Sequence, residues 1–286
     1  MRPAEFDEQS LERHHAHPRH VTQRDLRQLD LLAEALGERA APSPEIEALC
    51  ERIQEAIRRR RSCLACGHRC LVVPGKRGIC KVRANRKGTL MVPHGYVAGL
   101  AVDPIEKKPL NHFLPGTPVF SFGTAGCNLA CKFCQNWDIS KSREIDTLAA
   151  SATPAHIAET AERLGCRSVA YTYNDPVIFL EYAVDVAEVC REQDIRNVAV
   201  TAGYITEQAR EEFFRAMDAA NVDLKAFTDR FYWKVCDGHL EPVLDTLRYI
   251  KNETDVWLEL TTLLIPGEND AEAEIEAMTQ WIVEEL

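Results

Sequence analysis

The sequence lacks an apolar run long enough to cross a bilayer, and it does not begin with the charged-then-apolar pattern of a secretory signal. We therefore expect a cytoplasmic protein with no membrane partner. Basic residues are scarce after position 110, since residues 111–286 carry 14 basic and 30 acidic side chains. Such an acidic surface repels phosphates, which excludes nucleic acid as a partner.

Cysteine, by contrast, is abundant for a cytoplasmic chain, with 11 among 286 residues. An odd number concentrated in two short stretches indicates metal ligation rather than disulfides. Three isolated cysteines fall in helical patterns, where we expect buried packing residues: Cys50, Cys166 and Cys190.

Composition shifts divide the chain into three segments. Residues 1–44 are polar and rich in proline and histidine, which predicts a flexible extension. Residues 45–115 combine a helical pattern with a cysteine-rich stretch, which predicts a small N-terminal metal-binding domain. Residues 116–286 are long enough for one substantial core, which we expect to form the catalytic domain.

The later cysteine stretch, spaced C-x3-C-x2-C, consists of Cys127, Cys131 and Cys134. A 4Fe-4S cube has four irons, so three thiolates leave one iron free to bind a reactant. Electron-carrying ferredoxins cap all four irons with cysteine, and no fourth cysteine lies close by in this sequence. The spacing therefore favours a catalytic cluster, while a zinc site completed by a distant ligand stays open.

The residues before this triad indicate where it lies in the fold. Residues 119–126 alternate branched and aromatic side chains and end in glycines, which is typical of a strand that leads into a loop. The cysteines then follow the C-terminal end of a strand, which is the end at which α/β barrels carry their chemistry.

The earlier cysteine stretch offers four thiolates on tight turns, spaced C-x2-C-x3-C-x9-C. Four ligands make a closed site, and closed sites of this kind are most often structural zinc. An auxiliary iron-sulfur cluster would use the same cysteines, and His68 could replace one of them as a ligand. The predicted ligands are Cys63, Cys66, Cys70 and Cys80.

Strand and helix patterns alternate after the triad, which predicts βα units around a parallel sheet and an α/β fold. With the strand before the triad, the pattern gives five strands. The other four are predicted at 168–172, 197–201, 222–226 and 256–264. Helices are predicted between and after them, at 154–164, 178–193, 207–219, 242–251 and 271–286.

The triad, with the aromatic Phe133 before its last cysteine, resembles the signature of radical S-adenosylmethionine (SAM) enzymes. Three longer strings, 66–70, 103–116 and 134–140, closely resemble the radical enzyme of the AmmeMemoRadiSam system, a group similar to pyruvate formate-lyase activating enzymes. By its own composition, 103–116 predicts only a charged, proline-bounded surface connection. The resemblance adds that this passage belongs to a specific family pattern.

The resemblance implies a partial (β/α)6 barrel, a 4Fe-4S cluster and SAM as cofactors. Because the sequence pattern supplies five strands, we interpret the chain as truncated before the sixth. The resemblance also implies a one-electron donor such as flavodoxin or ferredoxin, and activating enzymes suggest a protein substrate. The implied activity is reductive cleavage of SAM to a 5'-deoxyadenosyl radical, which then abstracts hydrogen from a substrate.

The resemblance also implies residues that contact SAM at the strand ends. Phe133 shields the adenine side, and Asp175 stands where relatives prefer a glutamate that holds the methionine ammonium. Capping of the next helix is the alternative role of Asp175. Lys225 can pair with the carboxylate of SAM, although a salt bridge on the barrel rim is its alternative. The remaining implied contacts are Thr201, Gly203 and Asp223.

Cys236 lies outside both cysteine stretches. It could serve as a hydrogen relay or as an extra cluster ligand, and a buried packing cysteine is the alternative. Two other functions also stay open for the whole chain: a scaffold that binds a cluster without turning over SAM, and an interaction protein in which both cysteine groups bind structural zinc.

Overall fold

The structure is a computed structural model that describes residues 44–141 and 150–286. These residues form two units that divide after Arg60. The first contains helix α1, Pro44–Arg58, in agreement with the helical pattern that begins at residue 45. The second unit, Arg61–Leu286, contains all of the other elements described below.

Two of the predicted domain boundaries are not tested by this division. The polar extension predicted for 1–44 lies outside the described residues, apart from Pro44. The boundary predicted at residue 115, with a separate cysteine-rich domain before it, stays a prediction. No helix in the described ranges is both long and apolar enough to span a membrane.

A seven-stranded sheet organises the second unit. Its strands are β5 Tyr96–Pro104, β6 Pro118–Gly123, β7 Ala150–Ser151, β8 Ser168–Tyr171, β9 Arg196–Thr201, β10 Ala219–Asp223 and β11 Trp257–Thr261. They lie in the order β11-β10-β9-β8-β6-β5-β7. The five strands from β11 to β6 run parallel, and β5 and β7 add antiparallel partners at one edge. The five predicted strands and the α/β class are confirmed.

Helices follow the parallel strands at the positions that the 3.6-residue periodicity predicts. A short helix, α2, follows the cysteine triad, and a 3₁₀ turn, Pro176–Phe179, precedes α4. The helices are α2 Trp137–Lys141, α3 Pro154–Arg163, α4 Leu180–Glu192, α5 Glu207–Arg215, α6 Asp229–Phe231, α7 Glu241–Glu253 and α8 Glu272–Glu285. The truncation before a sixth strand stays a prediction.

The helices pack on one face of the sheet. Phe122 of β6 lies 5.9 Å from the ring of Phe179 and 5.8 Å from that of Tyr182 on α4, in each case between ring centroids. All three side chains are fully buried. Alternation along a strand sends the neighbours of Phe122 to the opposite face, so Ser121 and Gly123 point away from the helices.

The segment after β5 fills the opposite face of the sheet. Ile105 and Leu110 are fully buried and form one apolar cluster with Val119, Ala170 and Val198 of the parallel strands. The prediction of a surface connection at 103–116 was wrong for these residues. Charged and proline residues usually indicate a surface segment. Burial is possible here because charges in this segment are paired with one another.

Asp103 and Lys108 form that internal pair. The Nζ atom of Lys108 lies 2.8 Å from Oδ2 of Asp103, and both side chains are buried. Lys107 places its own Nζ 2.8 Å from Oδ1 of the same carboxylate. The hydroxyl of Tyr173 donates to Oδ2 over 3.3 Å, so the carboxylate has partners on both oxygens.

Asp103 is expected to make stability depend on pH below about 4. Burial raises the pKa of this carboxyl, but Lys107 and Lys108 outweigh burial and hold the pKa at about 2. A carboxyl with a depressed folded-state pKa stabilises the fold above its unfolded value of about 3.9, and the stabilisation is lost as pH falls towards the folded value. The difference between the two pKa values corresponds to about 2.6 kcal/mol.

Urea unfolding of the wild type and of Asp103→Asn at several pH values measures this effect. The wild type is expected to be more stable at pH 5, and its advantage should shrink by about 2 kcal/mol as pH falls to about 2. If the difference in the free energy of unfolding between the wild type and Asp103→Asn does not change with pH, the assigned pKa is wrong.

Two small hairpins precede the main sheet. The first pairs β1, Arg61–Ser62, with β2, Leu71–Val72, and the second pairs β3, Ala84–Arg86, with β4, Thr89–Met91. They frame the earlier cysteine stretch. Of the isolated cysteines, Cys166 and Cys190 are buried as predicted, whereas the prediction for Cys50 was wrong because this residue is exposed.

Candidate functional site

The cysteine triad lies in the loop between β6 and α2, as the sequence predicts. The loop leaves the sheet at Gly123, where a side chain would meet Oδ1 of Asn174 at 2.8 Å and overlap the carbonyl of Thr172. Gly126 has a φ of 91°, and a Cβ there would overlap the carbonyl of Cys80. The glycines are therefore required by close backbone approach, and at Gly126 also by a left-handed backbone.

A turn of π-helix, Tyr232–Cys236, holds the centre of the triad loop. The amide of Ala130 donates to the carbonyl of Cys236 over 2.8 Å, and the amide of Lys132 donates to the carbonyl of Val235 over 3.0 Å. These two hydrogen bonds fix the backbone on either side of Cys131. Insertions of π geometry in helices are often found at functional sites.

Cys236 also reaches the triad with its side chain. Its thiol donates a hydrogen bond to the sulfur of Cys131, and this bond lowers the pKa of Cys131. Burial raises the same pKa, whereas the positive charge of Lys225 lowers it further. Cys236 is fully buried. No fourth cysteine is close to the triad in sequence, but the fold brings this one against it.

The other two cysteines of the triad have different surroundings. Burial raises the pKa of Cys127 to about 12, and the nearby carboxylate of Asp175 also raises it. The thiol of Cys134 lies 3.6 Å from the hydroxyl of Ser140 on α2. The three sulfurs thus come from one loop, with the carboxylate of Asp175 near Cys127 and the ammonium of Lys225 near Cys131.

The loop after β8 organises the site through three consecutive residues. The carbonyl of Tyr173 accepts from the amide of Asn136, just after the triad, over 2.6 Å. The amide of Asn174 donates to the carbonyl of Gly126, just before Cys127, over 2.7 Å and also to the carbonyl of Thr124. One short loop thereby holds the triad loop at both of its ends.

Asp175, the third of these residues, bonds to the end of β9. Its Oδ1 accepts from the hydroxyl of Thr201 over 3.0 Å, and its Oδ2 accepts from the amide of Ala202 over 3.1 Å. Oδ1 also accepts from the amide of Val177, which caps the following 3₁₀ turn. Both the capping role and a position beside the triad are thus present, and burial raises the pKa of Asp175.

Thr201 and Gly203 support this arrangement from β9. The amide of Gly203 donates to the hydroxyl oxygen of Thr201 over 3.0 Å. The next residue, Tyr204, accepts from the side-chain amide of Asn128 in the triad loop over 3.2 Å. The end of β9 is therefore tied both to Asp175 and to the triad loop.

Lys225 lies just after β10 and forms an ion pair with Asp223. Its ammonium is 5.8 Å from the ring centroid of Phe133, and its backbone amide donates to the hydroxyl of Tyr232 over 3.1 Å. Burial lowers the pKa of Lys225, but Asp223 and Cys131 outweigh burial and raise it, so the side chain is a cation. The structure brings Phe133, Asp223 and Lys225 together.

Asp223 retains one unused acceptor. Its Oδ1 is among the buried side-chain atoms of the described residues that have no hydrogen-bond partner. A buried acceptor without a partner costs free energy, which a bound polar group can recover. The ion pair of Asp223 and Lys225 therefore presents both a cation and a free acceptor oxygen beside the triad.

Sequence reasoning missed several residues that hold the site together. Asn128, Asn136 and Asn174 each bond to the backbone of another segment, and no local spacing marks such long-range contacts. Their only signal is the occurrence of asparagines in loops next to functional residues. His68 was a possible metal ligand, but its Nε2 lies 2.7 Å from the carbonyl of Asn128.

The four cysteines of the earlier stretch line one small cavity together with Arg83, Val177 and Ile178. All four are buried. Within the described ranges, no three or more Cys, His, Asp or Glu side chains are placed to hold a single metal ion, and this applies to both cysteine groups. The lining cysteines are Cys63, Cys66, Cys70 and Cys80.

Comparison with known proteins gives a consistent set of matches. The profile of the radical SAM superfamily matches residues 122–278. An uncharacterized protein of Methanocaldococcus jannaschii is 39% identical over 225 residues, which cover 78% of this chain and 66% of that protein. The pyruvate formate-lyase-activating enzyme of Clostridium pasteurianum is 23% identical over 161 residues, which cover 55% of this chain and 66% of that enzyme. The matches thus span just under two thirds of each relative's length.

Among solved structures, the chain is similar to a domain of pyruvate-formate lyase-activating enzyme from Bacteroides vulgatus. The sequence identity is 22% and the TM-score is 0.37. The alignment covers 40% of this chain and 70% of that domain.

Proposed function

Because this chain belongs to the radical SAM superfamily, with homology to pyruvate formate-lyase activating enzyme, we propose that it cleaves S-adenosylmethionine reductively and abstracts hydrogen from a substrate. The observation that carries the proposal is the triad itself. Three cysteine sulfurs lie on one loop, near a buried carboxylate, Asp175, and a buried ammonium, Lys225.

The donors suit a 4Fe-4S cluster. Thiolates are the ligands that such clusters use, and Cys127, Cys131 and Cys134 supply three. Cys236 is the fourth thiol in this region, but it lies within hydrogen-bonding distance of the sulfur of Cys131. Ligands on different irons of one cube lie farther apart than that. Cys236 therefore acts as a hydrogen-bond donor to a ligand, and one iron keeps an open position.

The two charges near the triad suit the amino-acid part of SAM, which carries one ammonium and one carboxylate. Lys225 is a cation that can pair with the carboxylate. Asp175 has three protein donors, and a carboxylate has about four acceptor positions, so it can accept one further bond from the ammonium. Phe133 offers an apolar ring on the Lys225 side, and Thr201 and Gly203 hold Asp175 in place.

When bound, a reduced cluster would supply one electron to SAM, which would break the bond between the sulfur and C5' and give methionine and the 5'-deoxyadenosyl radical. The protein's own part is to bind, orient and exclude water. The ends of β6, β8 and β9 are buried, and the hydrogen bonds of Asn174 fix the triad loop. A fixed, dry site lets a reactive species meet the substrate before it meets solvent.

The finer assignments are part of the same proposal. The strings at 66–70, 103–116 and 134–140 support membership of the AmmeMemoRadiSam group. We assign a cytoplasmic enzyme that receives electrons from a carrier such as flavodoxin or ferredoxin. Likeness to activating enzymes favours a protein substrate over a small molecule.

Anaerobic reconstitution tests the proposed function. The protein is loaded with iron and sulfide, reduced with dithionite and incubated with SAM, and 5'-deoxyadenosine is quantified by liquid chromatography. We expect a brown protein that forms the nucleoside. A colourless protein that holds only zinc would instead support the interaction protein. A reducible cluster without nucleoside product would support the inactive scaffold.

Lys225→Met is expected to weaken SAM binding at unchanged cluster content. The substitution keeps the length of the side chain but removes the charge that faces the carboxylate of SAM. A hydrogen bond between charged groups contributes roughly 1.5–3 kcal/mol, so affinity should fall about 10- to 100-fold. Equilibrium dialysis with SAM measures the change, and iron is quantified in the same samples.

The matched control is Lys234→Met, because Lys234 is an exposed lysine on the neighbouring π-helical turn. It should bind SAM like the wild type. If Lys225→Met retains full affinity, Lys225 is only a rim salt bridge with Asp223, and its assignment to SAM is wrong.

A further inference from the structure

Tyr173 has a backbone conformation that residues other than glycine rarely adopt. Its φ is 70°, and the backbone amide of Asn174 donates to the carbonyl of Thr172 over 3.0 Å. A hydrogen bond that closes around one residue with positive φ makes a γ-turn of the rare, strained form. A bulky side chain adds to the cost, because its Cβ lies close to the backbone in this region. Such a turn persists where the surrounding structure holds it, and strained residues of this kind cluster at functional sites.

The triad loop is held from this γ-turn. The carbonyl of Tyr173 accepts from the side chain of Asn136 over 2.6 Å. The side-chain amide of Asn174 donates to the carbonyl of Gly126 over 2.7 Å. Asp175, proposed to accept from the ammonium of SAM, is the next residue along the chain. A change in the conformation of the turn would therefore move both anchors of the triad loop and the carboxylate together.

Two buried charges fix the ring of Tyr173. Its hydroxyl donates to Oδ2 of Asp103 over 3.3 Å. The Nζ atom of Lys108 lies 4.7 Å from the centroid of the ring, which is within the range of a cation–π contact. The same ammonium is 2.8 Å from Oδ2 of Asp103, and both charged side chains are buried. The ring is thus attached at its hydroxyl and at its face to one buried ion pair.

An irregularity in β5 makes room for the same ring. The pairing of β5 with β6 shifts its register between Ala98 and Ala101. Gly99 lies within this shift and has a φ of 68°. A Cβ on Gly99 would lie 2.9 Å from Cδ2 of Tyr173 and 3.2 Å from Cδ1 of Ile139. Bulges in strands are common next to active sites, and here the missing side chain leaves the space that the ring occupies.

We propose that Tyr173 is a positioning residue, whose fixed ring holds the strained turn in the conformation that aligns the triad loop and Asp175. The ion pair of Asp103 and Lys108 supplies the fixed partners of the ring, which gives it a role besides stability. The part of the proposal that concerns Asp175 rests on the proposed cleavage of SAM. The part that concerns the triad loop does not, because the turn bonds to this loop whether or not SAM is bound.

Tyr173→Gly separates the ring from the backbone of the turn. Glycine adopts positive φ without strain, so the turn stays accessible and only the ring contacts are lost. Hydrogen exchange, followed by mass spectrometry on the full chain before reconstitution, measures how firmly residues 123–137 are held. We expect exchange there to become about 10-fold faster or more, while residues 257–261 of β11 are unchanged. Tyr173→Phe keeps the ring and should stay within about threefold of the wild type.

The matched control is Asp194→Gly. Asp194 is exposed, has a φ of 57° and lies in the turn between α4 and β9. This variant also replaces a residue of positive φ by glycine, and exchange at residues 123–137 should not change. If Tyr173→Gly exchanges there as slowly as the wild type, the backbone alone holds the turn and the positioning role of the ring is wrong.

Gly99→Ala displaces the ring and leaves Tyr173 itself intact. The added methyl group would overlap the ring, so exchange at residues 123–137 should accelerate as it does in Tyr173→Gly. Gly116→Ala is the control, because Gly116 has a φ of 75° and no atom lies within 4 Å of a Cβ placed there. Both variants carry the same backbone strain, but only the first meets the ring. Equal exchange at residues 123–137 in the two variants would contradict the proposal.

SAM affinity tests the part of the proposal that concerns Asp175. In reconstituted protein of equal iron content, Tyr173→Gly should bind SAM about 10-fold more weakly than the wild type, and Tyr173→Phe should restore most of the affinity. If the wild type binds SAM and Tyr173→Gly binds it equally well, the ring does not position Asp175. A wild type that neither binds nor cleaves SAM would count against the proposed function alone, and the exchange rates would still decide whether Tyr173 positions the triad loop.

Discussion

Cys131→Ala is expected to abolish formation of 5'-deoxyadenosine, on the order of 1,000-fold or more, as is typical when an indispensable part of a catalytic unit is removed. Cys131 is the central ligand of the triad, and the π-helical turn grips the backbone on both sides of it. Its sulfur also accepts the hydrogen bond of Cys236. No other described thiol can take its place without moving this turn.

Iron content and nucleoside product are the two measurements for this variant. Iron should fall by about four per chain, which is one cube. Cys190→Ala is the matched control, because Cys190 is also buried but lies on α4 among packing residues. Substantial nucleoside formation by Cys131→Ala would show that the triad is not the catalytic ligand set.

Asn174→Asp is expected to reduce SAM cleavage about 100-fold although the two side chains have nearly the same shape. The amide of Asn174 donates to the carbonyls of Thr124 and Gly126. A carboxylate in its place would direct acceptors at acceptors and leave both carbonyls unsatisfied. Each unsatisfied buried group costs roughly 1–3 kcal/mol, so the triad loop should lose its fixed conformation.

The control is Asn197→Asp, because Asn197 is another buried asparagine, which bonds Tyr171 and a carbonyl of α4 away from the triad loop. It should lower the free energy of unfolding without changing SAM cleavage per folded molecule. If SAM cleavage falls in the same proportion to the free energy of unfolding in both variants, Asn174 supports the fold in general and not the triad loop.

Much of the fold was predictable because its signals are local. The alternation of apolar strands with amphipathic helices fixes the five parallel strands, whose observed ends lie within a few residues of the predicted ones. The cysteine spacing and the strand before it predict the position of the triad. Both depend on residues that are close together in sequence.

The missed features depend on pairing between distant residues. β5 was not predicted, and Asp103 and Lys108 were taken as surface charges although they neutralise each other in the interior. Cys236 is about 100 residues from Cys131 and meets it only through the π-helical turn. The sequence does not indicate which residue a charged side chain or a single cysteine will contact in the folded chain.

Asp175 illustrates how the structure refines a sequence-based expectation. An aspartate is one methylene shorter than the glutamate of the family pattern, and its reach to SAM depended on support from its surroundings. The end of β9 supplies that support, because Thr201 and Ala202 bond both oxygens and hold the carboxylate beside Cys127. The capping and cofactor-binding roles of this residue are therefore compatible.

The most direct test of the account is whether SAM binds the open iron of the triad cluster. The reduced protein is studied by electron-nuclear double resonance with SAM that carries an isotope label on its amino nitrogen. A hyperfine coupling between that nitrogen and the cluster is expected in the wild type, and Cys131→Ala should lack it. A spectrum that shows no coupling, and a cluster signal that does not change when saturating SAM is added, would contradict the binding of SAM to the open iron.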